Sequence, residues 1–114
     1  MAKDSYYTIV AKILIYLYAR IKGKEKRRPE EYLLANTSEF PITEEYFNFI
    51  LNEMQRHDYI QLQINRAWGG DIVNMDISGI QITQEGIDYL SENSKIRKAI
   101  ETIPTAAAVL EIFI

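Results

Sequence analysis

Residues 43–90 read TEEYFNFILNEMQRHDYIQLQINRAWGGDIVNMDISGIQITQEGIDYL. The first third of this run has helical periodicity. Thr43 is placed to cap a helix, and Glu44 and Glu45 sit in its first turn, where carboxylates meet the positive end of the dipole. At 100° per residue, Tyr46, Phe47, Ile50, Leu51 and Met54 converge on one side, and Glu45, Asn48, Asn52, Gln55 and Arg56 on the other. Beyond His57 and Asp58 the period falls to two. Ile60, Leu62 and Ile64 alternate with Gln61, Gln63 and Asn65, and Val73, Met75 and Ile77 alternate with Asn74 and Asp76. Gly69, Gly70 and Asp71 supply a tight turn, so the two strands must pair antiparallel. Ser78 and Gly79 are expected to break the second strand. Ile82 then returns to the core, Thr83 caps, and Ile87, Tyr89 and Leu90 anchor a further helix.

A helix that passes directly into a hairpin and back to a helix is the sequence form of a winged helix-turn-helix. The expected fold is therefore mainly α with a small antiparallel β-hairpin (α+β). Upstream, Tyr6, Ile9, Val10, Ile13, Leu14, Leu17 and Ile21 recur at helical spacing over residues 5–21, with Asp4 or Ser5 as cap. Tyr7, Ala11, Ile15 and Tyr18 add a second stripe on the same helix, which is therefore apolar over more than one face. Gly23 ends it. Pro29 suits the first position of a short second helix carrying Tyr32, Leu33 and Leu34 and stopping near Asn36. The turn over residues 38–42 follows, with a short third strand open near Phe40 and Ile42.

The C-terminus has a different character. A polar stretch from Ser91 to Lys98 precedes Ile100 and Ile103, and residues 106–114 are dominated by apolar side chains. Pro104 can open a last helix there. Such a tail invites association unless it is covered. The chain is accordingly divided into a winged-helix domain over residues 1–93 and an apolar helical segment over 94–114 for docking or dimerisation. Tyr7, Ile15 and Tyr18 with Val109, Leu110 and Phe113 form the expected homodimer interface.

Bulk composition narrows the functional classes. The chain has 114 residues, enough for one domain, and no cysteine, so disulfides, thiolate nucleophiles and Cys-based zinc sites are excluded. A single histidine cannot build a His cluster. No apolar run reaches the ~20 residues of a membrane span, and Met1-Ala2-Lys3-Asp4 lacks a signal-peptide layout, so a cytoplasmic protein is expected. Net charge is −3, yet residues 20–28 carry six cations against Glu25, a net +5. The rest of the chain is net −8.

Three groups of residues are candidates for nucleic-acid contact. Asn48, Asn52, Gln55 and Arg56 have the hydrogen-bonding chemistry to read base edges in a major groove, though Glu45 shares their face. Arg66 and Trp68 at the hairpin tip can enter a minor groove or stack, or Trp68 can fold back as a lid on the sheet. Arg27 and Arg28, in the basic segment, can neutralise phosphates or simply be solvated. His57 at a helix end serves the dipole, and Glu30-Glu31 and Glu44-Glu45 lie in first turns where adjacent carboxylates do not converge. No phosphate loop, nucleophile elbow or metal motif is present. No enzyme, cofactor, metal or small-molecule substrate is expected.

Ile42-Thr43-Glu44-Glu45-Tyr46-Phe47, then Arg56-His57-Asp58-Tyr59-Ile60, then the run from Ile82 to Lys95 with its Thr-x-x-Gly-x-x-Tyr-Leu element, resemble the YjcQ family. These are small winged-helix proteins of Gram-positive bacteria and their phages. The resemblance spans roughly residues 6–103. It implies the winged-helix fold, and DNA binding by analogy of fold. It brings no catalytic residues and no cofactor. The chain departs from the family pattern in a longer first helix and basic linker, in Asp58 where a glycine is common, and in a more apolar end. The leading expectation is a small non-enzymatic regulator that binds double-stranded DNA as a homodimer. The alternative is a protein-interaction module on the same scaffold, favoured by the net charge, Glu45, Phe49 and Trp68.

Overall fold

The computed structural model describes residues 6–70 and 72–103. Its order is α1 (Tyr6–Ile21), α2 (Pro29–Tyr32), α3 (Glu44–Arg56), β1 (Ile60–Arg66), β2 (Ile72–Ile82), α4 (Gln84–Glu92) and α5 (Ser94–Glu101). The two strands pair antiparallel, giving a small, mainly helical α+β fold. Asp4 and Ser5, expected to cap α1, lie outside the described residues, as do Val109, Leu110 and Phe113.

Helix α1 is the rod on which the rest is built. Ile9, Val10, Ala11, Ile13, Leu14 and Leu17 are at most 2% exposed, and Tyr16 is 3% exposed. Both stripes read from the sequence are used, because α3, α4, α5 and β2 all pack against this helix. Full burial of one such aliphatic side chain contributes about 1.5–3 kcal/mol. Ile21, expected in the core stripe, is instead 62% exposed. It is the last residue of α1, next to the Gly23 turn (φ 75°), beyond the reach of the packed elements.

Helix α2 is shorter than its apolar run suggests and stops at Tyr32. The following loop satisfies its own backbone groups. Thr37 Oγ1 donates to the Leu34 carbonyl at 2.8 Å, and the Asn36 N–H donates to the Ile42 carbonyl at 2.9 Å. Asn36 takes a left-handed φ of 59°, which asparagine tolerates better than most residues. Residues 40–42 form no strand. An aromatic series links these parts: Tyr16 stacks on Tyr32 at 4.5 Å, Tyr32 meets Phe40 edge-on at 5.2 Å, and Phe40 meets Phe47 at 5.1 Å.

Helix α3 starts as its sequence dictates. Thr43 Oγ1 accepts from the Tyr46 N–H at 3.1 Å, and Phe47, Ile50, Leu51 and Met54 are buried. At its end the Tyr59 N–H reaches the Met54 carbonyl at 2.9 Å and the Asp58 N–H reaches the Gln55 carbonyl at 3.0 Å. That pairing is a Schellman motif, and it holds Asp58 at φ 63° where glycine is the usual occupant.

The second strand corrects the expected break. β2 continues through Ser78 and Gly79 to Ile82. Gln61 pairs with Gln81 but Gln63 pairs with Asp76, so residues 77–80 face Leu62 alone and form a bulge. Asp76 Oδ1 accepts from the Ser78 N–H at 3.1 Å and from its hydroxyl at 2.6 Å, a local turn that diverts the strand without ending it. Thr83 then caps α4 by accepting from the Gly86 N–H at 3.0 Å.

Residues 94–101, the start of the helical segment expected over 94–114, form a helix of their own that includes most of the polar stretch. Asn93 Oδ1 caps it, accepting from the N–H groups of Lys95 at 3.0 Å and Ile96 at 3.1 Å. Ile96, Ala99, Ile100 and Ile103 are buried, and α5 packs on α1 and α4. The first part of the apolar C-terminal segment thus docks on its own chain. No described helix is long and apolar enough to cross a membrane.

Candidate functional site

The outer face of α3 carries the residues expected to read bases, and most of them are engaged within the chain. Gln55 Oε1 accepts from the Leu62 N–H at 2.7 Å. The bulge in β2 falls opposite Leu62, so the helix side chain satisfies a strand amide that the ladder leaves over. Asn52 Oδ1 accepts from Arg66 Nη2 at 2.7 Å, and Arg66 Nη1 also donates to the Gly70 carbonyl at 3.1 Å. Arg56 pairs with Glu53 at 2.7 Å, one turn back on the same helix. Asn48 is half-buried and Glu45 is exposed.

At the hairpin tip, Gly69 and Gly70 both take φ 93°, and the Gly70 N–H closes the turn onto the Ala67 carbonyl at 3.0 Å. Trp68 is 102% exposed, so the lid alternative is excluded. Phe49 on α3 is 52% exposed and lies parallel to Tyr46 at 6.4 Å.

The basic segment lies at the far end of α1 and is tied to local carboxylates. Arg27 binds Glu25 through Nε at 2.8 Å and Nη2 at 2.7 Å, and its guanidinium covers the Tyr32 ring at 4.2 Å. These bonds from Arg27 hold the Glu25 carboxyl at about 2, well below its ordinary 4.5. Arg28 pairs with Glu31 at 2.9 Å, and the Tyr16 hydroxyl donates to the Arg27 carbonyl at 2.6 Å. Burial raises the Tyr16 phenol. The two arginines proposed for phosphate contact therefore also brace the linker on α1 and α2.

Tyr6 and Tyr7 of α1, Tyr46 of α3, Tyr59 after α3 and Tyr89 of α4 gather near the first turn of α1. Tyr59 stacks on Tyr89 at 4.1 Å and on His57 at 5.7 Å, and Tyr6 meets Tyr7 edge-on at 5.2 Å. Burial raises the Tyr6 phenol, and the neighbouring Glu53, Tyr7, Tyr59 and Tyr46 add to it. Tyr89 is pushed up to about 12 by burial first, then by Tyr59, Tyr6 and Tyr7. All five rings are half-buried. Lys95 of α5 lies over the Tyr7 ring at 5.3 Å. The members come from separate elements, so the one available signal was the chain's eight tyrosines.

Of the expected dimer residues, Tyr7, Ile15 and Tyr18 are half-buried and pack in part against the chain's own core. Among the described residues, no three His, Asp or Glu side chains are grouped to hold a metal ion. An open cleft at the base of the hairpin is lined by polar groups including Gln55, Asp58, Gln61, Thr83 and Glu85.

No curated protein matches the chain, and no solved structure does. A family model described as YjcQ protein matches residues 11–107, from α1 to beyond α5, and the chain belongs to the YjcQ family.

Proposed function

We propose that α1–α3, the hairpin and α4 are a winged helix-turn-helix scaffold that binds protein rather than duplex DNA, without catalytic chemistry. The observation that carries this reading is the charge of the elements that would meet a duplex. Residues 43–92, which span α3, the hairpin and α4, hold nine carboxylates against Arg56 and Arg66, a net −7. Affinity for duplex DNA rests chiefly on neutralising phosphates with cations, and these elements supply two cations against nine carboxylates. Base-reading groups are scarce as well, because Asn52, Gln55 and Arg56 already hold partners within the chain. Exposed Phe49 and Trp68 and the half-exposed tyrosines are the residue types that anchor protein interfaces.

The test is a fluorescence-anisotropy titration of random-sequence duplex at low salt. The expected result is no binding below ~100 μM, the weak limit of ordinary non-specific binders. Micromolar affinity that falls steeply with salt and is lost in Arg56→Ala or Arg66→Ala overturns the reading in favour of a DNA-binding regulator.

A further inference from the structure

We infer that the flank of α1 formed by Ile15, Tyr18 and Ile21 is covered by residues 106–114 of the same chain. This surface is separate from α3 and the hairpin, and the inference does not depend on what those elements bind.

The flank continues a stripe at helical spacing, Tyr7, Ala11, Ile15 and Tyr18, on one side of α1. Its cover changes along its length. At the start, Lys95 lies over the Tyr7 ring at 5.3 Å and reaches the Tyr7 hydroxyl at 3.5 Å. One turn on, Ala11 is fully buried. Ile15 and Tyr18 are only half-buried, and Ile21 at the end of the helix is exposed. The Lys22 ammonium lies over the Tyr18 ring at 5.4 Å, so the open part of the stripe is apolar with a cation at its edge.

The course of α5 explains where the cover stops. Lys95 is the second residue of α5, so this helix starts beside the first turn of α1. It packs on α1, with Ile96, Ala99, Ile100 and Ile103 buried along the way. A helix anchored at that end and kept in contact advances toward the other end. At 1.5 Å rise per residue, Lys95 to Ile103 spans roughly 12 Å, the same as Tyr7 to Ile15. The chain therefore leaves α5 near the level at which the stripe opens.

Residues 104–114 lie outside the described residues, and their sequence suits the surface beside that exit. After Pro104 and Thr105, residues 106–114 carry eight apolar side chains and one charge, Glu111. Eight residues separate Ile103 from Glu111. Even at helical rise that length exceeds the roughly 9 Å from Ile15 to Ile21. It brings the apolar side chains to the flank and the one carboxylate to Lys22 and the net +5 segment over 20–28.

The short connection decides between this chain and a second copy. Only Pro104 and Thr105 stand between the buried Ile103 and the apolar run. A tether that short holds the run at millimolar effective concentration, which a second copy at micromolar concentration does not match. The contact expected between Ile15 and Tyr18 of one copy and the C-terminal residues of another then forms within one chain.

Hydrogen exchange of the full chain, read by mass spectrometry over a concentration series, tests this. Residues 106–114 are expected to exchange at least about tenfold more slowly than a free chain, by the same factor at every concentration. Two variants, each checked for folding by circular dichroism, locate the contact. Ile21→Gln changes a side chain that is already exposed, and the second variant adds Tyr18→Gln to it. Both are expected to speed exchange in residues 106–114, the double variant more, while exchange in α3 and the hairpin stays as in wild type. Free-chain exchange of residues 106–114 in wild type overturns the inference. Protection that rises with concentration also overturns it, by assigning the flank to the tail of a second copy. So does protection that neither variant changes, which would place the tail on another surface. None of these results bears on the protein-binding reading, which stands or falls on the duplex titration.

Discussion

Arg66, the last residue of β1, donates to the side-chain oxygen of Asn52 in the middle of α3, 14 positions earlier, at 2.7 Å. The same guanidinium holds the Gly70 carbonyl on the other side of the turn. One side chain therefore fixes the angle between the hairpin and the helix, and with it the position of Trp68 relative to Phe49. That geometry is what a partner would recognise.

A double-mutant cycle with Asn52→Ala and Arg66→Ala measures the link. Both groups are solvent-accessible, so a coupling of about 0.5–1 kcal/mol is expected in urea denaturation, the range of an ordinary hydrogen bond. The larger effect is expected in hydrogen exchange, with faster exchange at the tip amides of residues 67–70 in either single variant. Unchanged tip exchange would show that the hairpin holds its angle without this bond.

Gln55 has a heavier structural duty. Leu62 is 6% exposed, and its N–H reaches Gln55 because the strand opposite is bulged. Gln55→Ala orphans that amide, with an expected loss of about 1–3 kcal/mol. Gln55→Glu keeps an acceptor of the same reach and is expected to recover most of the loss at neutral pH. Equal destabilisation by both variants would rule out the acceptor role.

These two residues also mark where sequence reading reaches its end. The caps Thr43 and Thr83 were legible because capping chemistry is local, decided within three residues. Asn52 and Gln55 were legible as an outward polar face, but their partners lie on β1, and the bulge that frees Leu62 cannot be read from alternation. Ser78 and Gly79 looked like a strand end for the same reason: turn-forming residues mark a bulge as readily as a break. Helix α5 lies inside the helical segment expected over 94–114, but its bounds were not legible because Lys95, Arg97 and Lys98 dilute an apolar face of only Ile96, Ala99 and Ile100. The Asn93 cap was its available signal. The tyrosine flank draws on four parts of the chain and exists only once the fold brings them together.

The linker gives a pH-dependent prediction. Glu25 titrates at about 2 in the folded chain against an ordinary 4.5, because Arg27 stabilises its anion. A depressed folded value means that the contribution to stability is complete above 4.5 and is lost as pH falls toward 2. Glu25→Gln is expected to be less stable than wild type at neutral pH. The gap between the two urea midpoints should close across that acid window. A gap that stays constant with pH would mean that the pair adds nothing through its charge.

Gly86 offers the sharpest test of how α4 meets the hairpin base. A Cβ at this position would lie 2.1 Å from the Tyr59 carbonyl oxygen and 2.9 Å from Ile82 Cγ1. The first is backbone, held by the Thr83 N–H at 3.1 Å, and cannot swing away. Ordinarily alanine in a helix is favoured over glycine by up to ~1 kcal/mol. Here the clash reverses the sign, and Gly86→Ala is expected to destabilise by about 1–3 kcal/mol or more, the range of overpacked cores. Movement of α4 to relieve it would also pull Tyr89 from its 4.1 Å stack on Tyr59. The tyrosine absorbance of the variant should therefore titrate at lower pH than wild type, where Tyr89 ionises at about 12. A variant as stable as wild type would show that α4 does not approach Tyr59 this closely.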